Sequence, residues 1–331
     1  MKALRLESPD PIENAPLKLV DLPIPTYRSH QLLVKVSTCS ICHTDLHTVE
    51  GEIIPPRFPI TPGHQVVGQI SELGDQVSGW EVGERVGIPW LYRACGTCDF
   101  CKRGEENLCP EAEFTGFHLD GGYADYLVVD ADYALQIPDA LSDALAAPLL
   151  CAGIIGYRSL CKADVHPGER LGLIGFGASA HLAIQVARHW NCEVYVFTRS
   201  SGHRELAQEL GAEWVGGIED QAPEALDRAI LFAPVGDLVP QILRKLRPGG
   251  TLAINAIHLS PIPELPYSLI YGERTLRSVA NATYQDGVEF MALAAEIPIT
   301  ATTQMYDLKE ANEALLDLKE SRIDGAGVLI P

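Results

Sequence analysis

The chain has 331 residues and a mass of 36.0 kDa, and at about 150 residues per domain this length predicts two domains. Apolar residues make up 47% and charged residues 21%, a globular composition that argues against disorder. The formal net charge is −19, from 25 Lys and Arg against 44 Asp and Glu. This acidic excess argues against a nucleic-acid partner, because binding a phosphate backbone requires local positive charge.

The pattern of the chain changes near residue 154. Before it, short apolar or alternating runs at 32–36, 64–71 and 123–129 are separated by Gly, Pro and Asp, as in a compact sheet or barrel. After it, strands are predicted at 170–174, 193–198, 229–233 and 251–256, helices at 179–190, 203–210 and 238–246, and a last helix at 308–319. This alternation predicts an α/β fold with a doubly wound parallel sheet.

Two domains follow from this change of pattern. We expect 1–153 to form the first domain, 154–287 the second, and about 288–331 to rejoin the first. The N-terminal segment has no apolar core of the kind found in secretory signals, and the apolar run 144–157 is too short to span a bilayer. We therefore expect a cytoplasmic location, where clustered cysteines are more often metal ligands than disulfides.

Four of the nine cysteines, Cys95, Cys98, Cys101 and Cys109, follow the spacing C-x2-C-x2-C-x7-C. Tetrahedral zinc accepts four thiolates, and short spacings let one loop surround one ion. Because all four positions are thiols, none stays open for a substrate, and the pattern predicts a structural zinc site. The alternatives are four free thiols and an iron–sulfur cluster, which usually has other spacings.

A glycine-rich turn follows the predicted strand at 170–174. It reads GFGASA, where Gly175 makes the tight turn, Gly177 lets the backbone approach a pyrophosphate, and Ala180 takes the third position of G-x-G-x-x-A. With a strand before it and a helix after it, the turn predicts a dinucleotide site.

The end of the next strand predicts which dinucleotide is bound. NAD enzymes usually have Asp or Glu there for the ribose 2′-hydroxyl, but this chain has Thr198, Arg199 and Ser200. An arginine can bind a 2′-phosphate bidentately, whereas an acid would repel it. We predict that NADP(H) is preferred over NAD(H), led by Arg199 and helped by Ser200. A solvated surface arginine is the alternative interpretation.

Several motifs occur in the order of a known family. They are GIPWL at 87–91, the four-cysteine segment, TGFHLDGGYADY at 115–126 and APLLCAGIIGY at 147–157. In these motifs the chain resembles the zinc-dependent alcohol dehydrogenases of the medium-chain dehydrogenase/reductase superfamily, most closely their yeast-like, short-loop branch. The resemblance covers nearly the whole length. It implies a β-rich GroES-like catalytic domain and a doubly wound parallel (Rossmann) cofactor domain.

The resemblance also implies a second zinc, bound by Cys42, His64 and Cys151, which makes two Zn²⁺ per chain. Taken singly, a cysteine in an apolar run is usually a buried small side chain, and a lone histidine is usually structural. Two thiolates and one imidazole leave a fourth position for water or a substrate oxygen, on which the ion acts as a Lewis acid.

Four further residues take roles by the same resemblance. Asp45 supports the histidine ligand, although a helix N-cap is the alternative and the two roles can coexist. Thr44 and His47 form a proton relay through the cofactor ribose, and an imidazole pKa of about 6.5 suits a terminal base. Trp90 narrows the substrate pocket. A surface histidine and a core tryptophan are the alternatives for the last two.

Two positions depart from the family pattern. Gln65 follows the histidine ligand where the family usually has Glu, which leaves the exchange of the fourth zinc ligand in question. Ala326, in the stretch IDGAG at 323–327, stands where members often carry an arginine that contacts the pyrophosphate. Either that contact is lost or Arg322 replaces it.

Together these observations predict an enzyme that transfers hydride between NADP(H) and a primary alcohol or aldehyde. A polyol, threonine or formaldehyde-type dehydrogenase of the same superfamily is the first alternative. A cofactor-binding scaffold without catalysis is the second, and the presence of every ligand and relay residue argues against it. The resemblance also implies a homodimer or homotetramer with a small-molecule substrate, and no nucleic-acid or membrane partner is expected.

Overall fold

The chain divides into two compact units. The structure, a computed structural model, describes residues 1–323 and 325–331. The first unit comprises Met1–Cys151 and Asn281–Pro331, and the second comprises Ala152–Ala280. The domain bounds 1–153, 154–287 and about 288–331, and the function of each domain, stay predictions.

Both units combine strands with helices. The strands are β1 (Lys2–Arg5), β2 (Lys18–Asp21), β3 (Gln31–Ser40), β4 (Val66–Leu73), β5 (Arg85–Ile88), β6 (Leu91–Arg93), β7 (Glu113–Phe114), β8 (Tyr126–Asp130), β9 (Leu135–Gln136), β10 (Arg170–Ile174), β11 (Glu193–Phe197), β12 (Trp214–Gly216), β13 (Leu226–Leu231), β14 (Leu246–Ile254), β15 (Thr275–Ser278), β16 (Thr303–Asp307) and β17 (Ala326–Ile330). The α-helices are α1 (His43–Glu50), α2 (Asp99–Lys102), α3 (Asp143–Pro148), α4 (Ile154–Lys162), α5 (Ala178–His189), α6 (Ser201–Glu209), α7 (Leu238–Lys245), α8 (Tyr284–Glu296) and α9 (Ala311–Lys319).

A sheet centred on β3 forms the core of the first unit. Its strand order is β16-β17-β3-β4-β5-β9, β8 also pairs with β3, and all pairs except β16 with β17 are antiparallel. β3 is buried on both faces along most of its length, which suits its Leu, Val and Cys side chains. β17 comes from the C-terminal part of the chain and pairs Val328 with Ser40 and Leu329 with Cys39. It therefore completes the sheet next to the segment that leads to Cys42.

The second unit contains a parallel sheet with the order β12-β11-β10-β13-β14-β15. The strand order reverses beside β10, since the chain adds β11 and β12 on one side of it and β13 to β15 on the other. Sheets of this kind bind ligands at the carboxyl end of the strands where the order reverses. The predicted doubly wound parallel sheet is confirmed.

Two strands begin earlier than the sequence predicts: β13 begins at Leu226 instead of 229, and β14 begins at Leu246 instead of 251. A helix to 246 and a strand from 251 were expected, with Arg247–Pro248–Gly249–Gly250 as the stop between them, but β14 already begins at Leu246. Its pairing with β13 passes from Leu226–Leu246 directly to Arg228–Thr251, so these residues form an irregularity within the ladder. Gly249 has a φ of +76° there, which a glycine adopts without strain.

One continuous helical stretch, Asp143–Lys162, comprises α3, a π-helical turn at Leu149–Gly153, and α4. By length and composition alone this stretch is long and apolar enough to cross a membrane, but 67% of its most apolar window is buried inside the protein. A core helix of a globular protein has the same properties, and we interpret it as one.

Candidate functional site

Three residues far apart in the sequence meet in the first unit. The Sγ atoms of Cys42 and Cys151 and a ring nitrogen of His64 lie within 4.8 Å of one another. His64 is fully buried, and its Nε2 has no hydrogen-bond partner in the part of the chain that the structure describes. A buried imidazole nitrogen beside two thiols is the donor set of a zinc site with an open fourth position. The residues present therefore fit the ion that the sequence predicts.

A different local feature holds each member of this cluster. Cys42 follows β3 as the N-cap of α1, and Cys151 lies in the π-helical turn, a feature that often occurs at functional sites. His64 follows Gly63, whose φ is +99°. A Cβ on Gly63 would lie 2.4 Å from the ring of Tyr123, so only glycine fits there.

Asp45 joins the parts of the cluster through four hydrogen bonds. Its carboxylate accepts from Nδ1 of His64 at 2.9 Å and from the backbone N–H groups of Cys42 at 2.9 Å and Gly63 at 3.1 Å. The hydroxyl of Tyr123 donates the fourth at 3.2 Å. Asp45 thus contacts both the N-cap of α1 and the ring of His64. Its bond to Nδ1 leaves Nε2 as the nitrogen beside the thiols.

The charges in the cluster favour a thiolate. Burial opposes a charge on His64, but the carboxylate of Asp45 outweighs this and raises the pKa of His64 to about 10. A hydrogen bond from Cys151, and then the neighbouring His64, lower the pKa of Cys42 well below its usual range. A thiolate is the form of cysteine that binds a metal ion.

Thr44 and His47 both lie on α1, but among the described residues their side chains are not hydrogen-bonded to each other. The Oγ1 of Thr44 lies 3.8 Å from the Sγ of Cys42, so this buried hydroxyl belongs to the cluster. His47 is partly exposed, and its Nδ1 lies 2.5 Å from a carboxylate oxygen of Glu52. A direct relay between the two residues is therefore absent, and a group between them is needed to connect them.

Trp90 forms an aromatic wall beside the cluster. Its ring centroid lies 4.8 Å from that of His64 in an edge-to-face arrangement. The aromatic wall also includes Phe114 and Phe117. The ring centroid of Trp90 lies 5.0 Å from that of Phe114, on which it stacks, and 5.9 Å from that of Phe117. Trp90 is thus in contact with the candidate zinc ligand, and the wall gives this side of the cluster an apolar surface.

The side chain of Gln65 is hydrogen-bonded to the backbone that precedes Cys42. Its Nε2 donates to the carbonyl oxygens of Ser40 at 3.3 Å and Ile41 at 3.2 Å, and its side chain is buried. A glutamate has no hydrogens with which to satisfy these two carbonyls when ionised. The amide in place of the usual Glu therefore suits this backbone.

Replacing Gln65 with Glu is expected to lower the free energy of unfolding by about 2 kcal/mol, because two buried carbonyls lose their donor and a carboxyl group is buried beside them. Gln69, exposed on the neighbouring strand β4, is the matched control, and Gln69→Glu is expected to change stability by less than about 0.5 kcal/mol. Urea unfolding of both variants measures the difference. Equal stability of the two variants would contradict this role of Gln65.

The four remaining clustered cysteines also meet. The Sγ atoms of Cys95, Cys98, Cys101 and Cys109 lie within 4.8 Å of one another, and two of the separations are 3.5 and 3.9 Å. Four sulfurs placed about 2.3 Å from one zinc ion would be about 3.8 Å apart in a tetrahedron. Backbone N–H groups of Thr97 and then Cys98 lower the pKa of Cys95 to about 6. These sulfurs fit a zinc ion with no open position.

The glycine-rich turn of the second unit connects β10 to α5. Gly175 has a φ of +86°, and a Cβ there would lie 2.9 Å from the backbone nitrogen of Ala233. Gly177 is the N-cap of α5, and a Cβ there would meet nothing within 4 Å. Ala180 is fully buried. Open space over a helix N-terminus fits the pyrophosphate of a dinucleotide.

The three residues after β11 differ in their surroundings. Thr198 is buried and its carbonyl accepts from Nε of Arg204 at 3.0 Å. Arg199 is exposed, and its guanidinium makes no hydrogen bond or ion pair within the described residues. Ser200 is the N-cap of α6 and accepts from the N–H of His203 at 3.4 Å. Arg199 is therefore free to bind an anion, and Ser200 already has a structural role.

Ala326, the C-terminal departure from the family pattern, lies at the start of a strand. Ala326 begins β17 and is buried, and residue 324 of the same stretch lies outside the described residues. The guanidinium of Arg322 is bound to the carboxylate of Asp317 at 2.5 and 2.8 Å and also pairs with Glu320. Arg322 is thus neutralised by two carboxylates, which argues against its replacing the missing arginine.

Sequence reasoning missed three residues of these sites. Tyr123 donates a hydrogen bond to Asp45, and Glu52 pairs with His47 five residues before it; the sequence carries no signal for either contact, although Tyr123 lies in a quoted family motif. His181 lies on the first turn of α5, and its buried Nε2 has no hydrogen-bond partner among residues 1–323 and 325–331. Burial lowers the pKa of His181, which keeps its ring neutral.

Two family models match the chain. Residues 28–139 match an alcohol dehydrogenase GroES-like domain, and residues 180–296 match a zinc-binding dehydrogenase. A protein of Mycobacterium tuberculosis described as "Probable alcohol dehydrogenase AdhA" is 46% identical over 336 residues, which cover 100% of this chain and 97% of that protein.

Solved structures agree with this match. A cinnamyl alcohol dehydrogenase from Sorghum bicolor is 29% identical with a TM-score of 0.89, and covers 99% of this chain and 97% of its own. The CAD of Helicobacter pylori, solved as a complex with NADP(H), is 25% identical with a TM-score of 0.88, over 99% and 97%. The chain therefore belongs to the zinc-type alcohol dehydrogenases of the medium-chain dehydrogenase/reductase superfamily, oxidoreductases that act on alcohols and join a GroES-like domain to a Rossmann-type sheet.

Proposed function

We propose that this protein transfers hydride between NADP(H) and a primary alcohol or aldehyde, at a zinc ion held by Cys42, His64 and Cys151. The observation that carries the proposal is the buried, unpartnered Nε2 of His64 beside two thiols. When bound, zinc supplies Lewis acidity to the substrate oxygen, and the nicotinamide supplies or accepts the hydride. The similarity to a cinnamyl alcohol dehydrogenase supports an aldehyde with an apolar body.

The chain's own residues orient the substrate and move the proton. The aromatic wall of Trp90, Phe114 and Phe117 would exclude water from one side of the cluster. The hydroxyl of Thr44 would exchange the proton with the substrate oxygen, and His47 would exchange it with solvent. Glu52 would orient the ring of His47, because its carboxylate contacts Nδ1 of that ring.

We assign a second, structural zinc to Cys95, Cys98, Cys101 and Cys109, which gives two ions per chain. The catalytic domain would be 1–153 with about 288–331, and the cofactor domain 154–287. Membership of the yeast-like branch, a cytoplasmic location and a homodimer or homotetramer complete the proposal. Light scattering tests the last of these, and a monomer at micromolar concentration would contradict it.

The cofactor choice rests on Arg199, whose guanidinium has no partner in the described part of the chain. Gly175, Gly177 and Ala180 would hold the pyrophosphate, and Thr198 and Ser200 would flank the 2′-phosphate. The NADP(H) complex of the Helicobacter pylori relative supports this choice. His181 offers a buried ring nitrogen near the same turn as a further contact.

Replacing Arg199 with Glu is expected to weaken NADPH binding by about 10- to 100-fold and to leave NADH binding equal or tighter, because a charge-assisted bond becomes a repulsion. Titration by nucleotide fluorescence measures both constants. Arg244→Glu, an exposed position on α7, is the control for net charge. An Arg199→Glu variant that kept its NADPH preference would refute the assignment.

Aldehyde-dependent oxidation of NADPH and NADH by zinc-loaded protein tests the function directly. We expect faster turnover with NADPH, two zinc ions per chain, and loss of activity on chelation. Faster turnover with NADH would keep the enzyme and overturn the cofactor preference. Activity on polyols, threonine or formaldehyde adducts alone would favour the alternative dehydrogenases. No activity on any of them, with two zinc ions present, would favour a non-catalytic scaffold.

A further inference from the structure

A cavity of about 260 Å³ lies in the first unit, and no residue of either cysteine cluster lines it. It opens among β6, β8 and the segment between β2 and β3, and Tyr92, Leu119 and Leu127 contribute apolar surface to it. A water in the liquid takes about 30 Å³, so the cavity has room for a small organic molecule.

Arginines dominate the charge of this cavity. Asp120 is the single carboxylate among the lining residues. Four arginines line the cavity: Arg5, Arg28, Arg57 and Arg93. This is a local reversal of sign in a chain whose formal net charge is −19. Such a lining attracts a negative ligand to the extent that its guanidinium groups are not already paired with carboxylates of the protein.

The arginines differ in how far their charge is already used. Arg5 donates to Asp120 at 2.6 Å and to Thr61 at 3.2 Å, and Arg93 is paired with Glu113. Both are therefore neutralised by the protein itself.

The other two arginines have guanidinium donors that the protein does not fully use. Arg57 donates to the carbonyl of His118 at 3.2 Å and lies 3.5 Å from Asp120, which it shares with Arg5. The guanidinium of Arg28 makes no hydrogen bond or ion pair within residues 1–323 and 325–331. Arg28 can thus pair fully with a ligand, and Arg57 can pair with it in part.

Tyr92 adds a neutral donor beside Arg28. Its side chain is 3% exposed, and its oxygen accepts from Nε2 of Gln31 at 3.2 Å. Burial and then the nearby carboxylate of Asp130 raise the pKa of the Tyr92 hydroxyl, which keeps it protonated, while the charges of Arg93 and then Arg28 oppose that shift. A protonated phenol and a guanidinium together bind an oxyanion well.

We propose that this cavity binds a small oxyanion with an apolar body, a carboxylate or a phosphate monoester, through Arg28 with Arg57 and Tyr92. The oxyanion pairs with the two guanidinium groups, and the apolar body packs on Leu119 and Leu127. None of these residues belongs to the zinc clusters or to the glycine-rich turn, so the proposed site is distinct from both.

Calorimetric titration of the zinc-loaded protein at low ionic strength tests the proposal, with phenyl phosphate, benzoate and inorganic phosphate as probes. We expect saturable binding of phenyl phosphate or benzoate with a Kd below about 1 mM, and weaker binding of inorganic phosphate. Which of the two organic probes binds more tightly identifies the head group. Absence of saturable binding up to about 10 mM for all three would overturn the site.

Two variants locate the binding. Arg28→Gln is expected to weaken it at least about tenfold, while the exposed control Arg244→Gln leaves it unchanged. Asp120→Asn is expected to tighten it, because Arg5 and Arg57 lose the carboxylate that competes with the ligand. Equal effects of Arg28→Gln and Arg244→Gln, or weaker binding to a folded Asp120→Asn, would overturn the proposal. Arg28 is exposed, so its variant is expected to fold.

Discussion

Replacing Asp45 with Asn is expected to weaken zinc binding at the Cys42, His64 and Cys151 cluster by about 10- to 100-fold. An asparagine has one acceptor oxygen where Asp45 uses two, and its NH₂ would face groups that already donate. The ring of His64 then loses the carboxylate that orients it. Competition with a chromophoric chelator measures the affinity, and aldehyde turnover at limiting zinc is expected to fall in parallel.

Stability separates this effect from a general loss of packing. Asp45→Asn is expected to lower the free energy of unfolding by about 3 kcal/mol, because buried donors lose a charged acceptor. Tyr123→Phe removes only the longest of the four bonds, at 3.2 Å, and is expected to cost about 1 kcal/mol with nearly normal zinc affinity. An Asp45→Asn protein with unchanged zinc affinity would contradict the role of this carboxylate.

Replacing Cys98 with Ser is expected to reduce the zinc content from two ions per chain to one and to loosen the four-cysteine segment. The segment has almost no apolar core of its own, since Phe100 and Leu108 are 37% and 43% exposed. Its order would then depend on the metal, as in other small metal-bound segments. Trypsin is expected to cleave after Lys102 and Arg103 at least about tenfold faster in the variant.

Cys161, exposed on α4, supplies the matched control. Cys161→Ser is expected to keep two zinc ions and the wild-type pattern of cleavage. Mass spectrometry of the fragments identifies the cleaved bonds, and elemental analysis counts the zinc. A Cys98→Ser protein that kept both ions and its resistance to trypsin would show that this segment folds without a metal.

Features encoded by neighbouring residues could be predicted from the sequence. The cysteine spacing at 95–109 and the GFGASA turn are such features, because a few backbone turns decide where their side chains lie. The parallel sheet was predicted from the alternation of strands and helices. The predicted start of β14 was wrong, because Pro248 and Gly249 favour a turn, whereas the strand includes them through an irregularity in its pairing with β13.

Contacts made by the tertiary fold could not be predicted in this way. Tyr123 reaches Asp45 across 78 residues of chain, and nothing local to either residue indicates the bond. The donors of Gln65 are a similar case, because the sequence shows the change from Glu but not the carbonyls of Ser40 and Ile41 that the amide satisfies. Only the family resemblance predicts that Cys42, His64 and Cys151 meet, because no local spacing relates residues so far apart in the chain.

The pairing of β17 with β3 has a consequence for the order of events during synthesis. The N–H of Ile41 and the hydroxyl of Ser40 both donate to the carbonyl of Gly327, so the segment before Cys42 lacks these partners until residue 327 has left the ribosome. The unit Ala152–Ala280 is complete much earlier. Domains often fold in order from the N-terminus, but here we expect the later-encoded unit to fold first. Proteolysis of chains stalled near residue 310 would reveal a protected second unit, and protection of both units would refute this order.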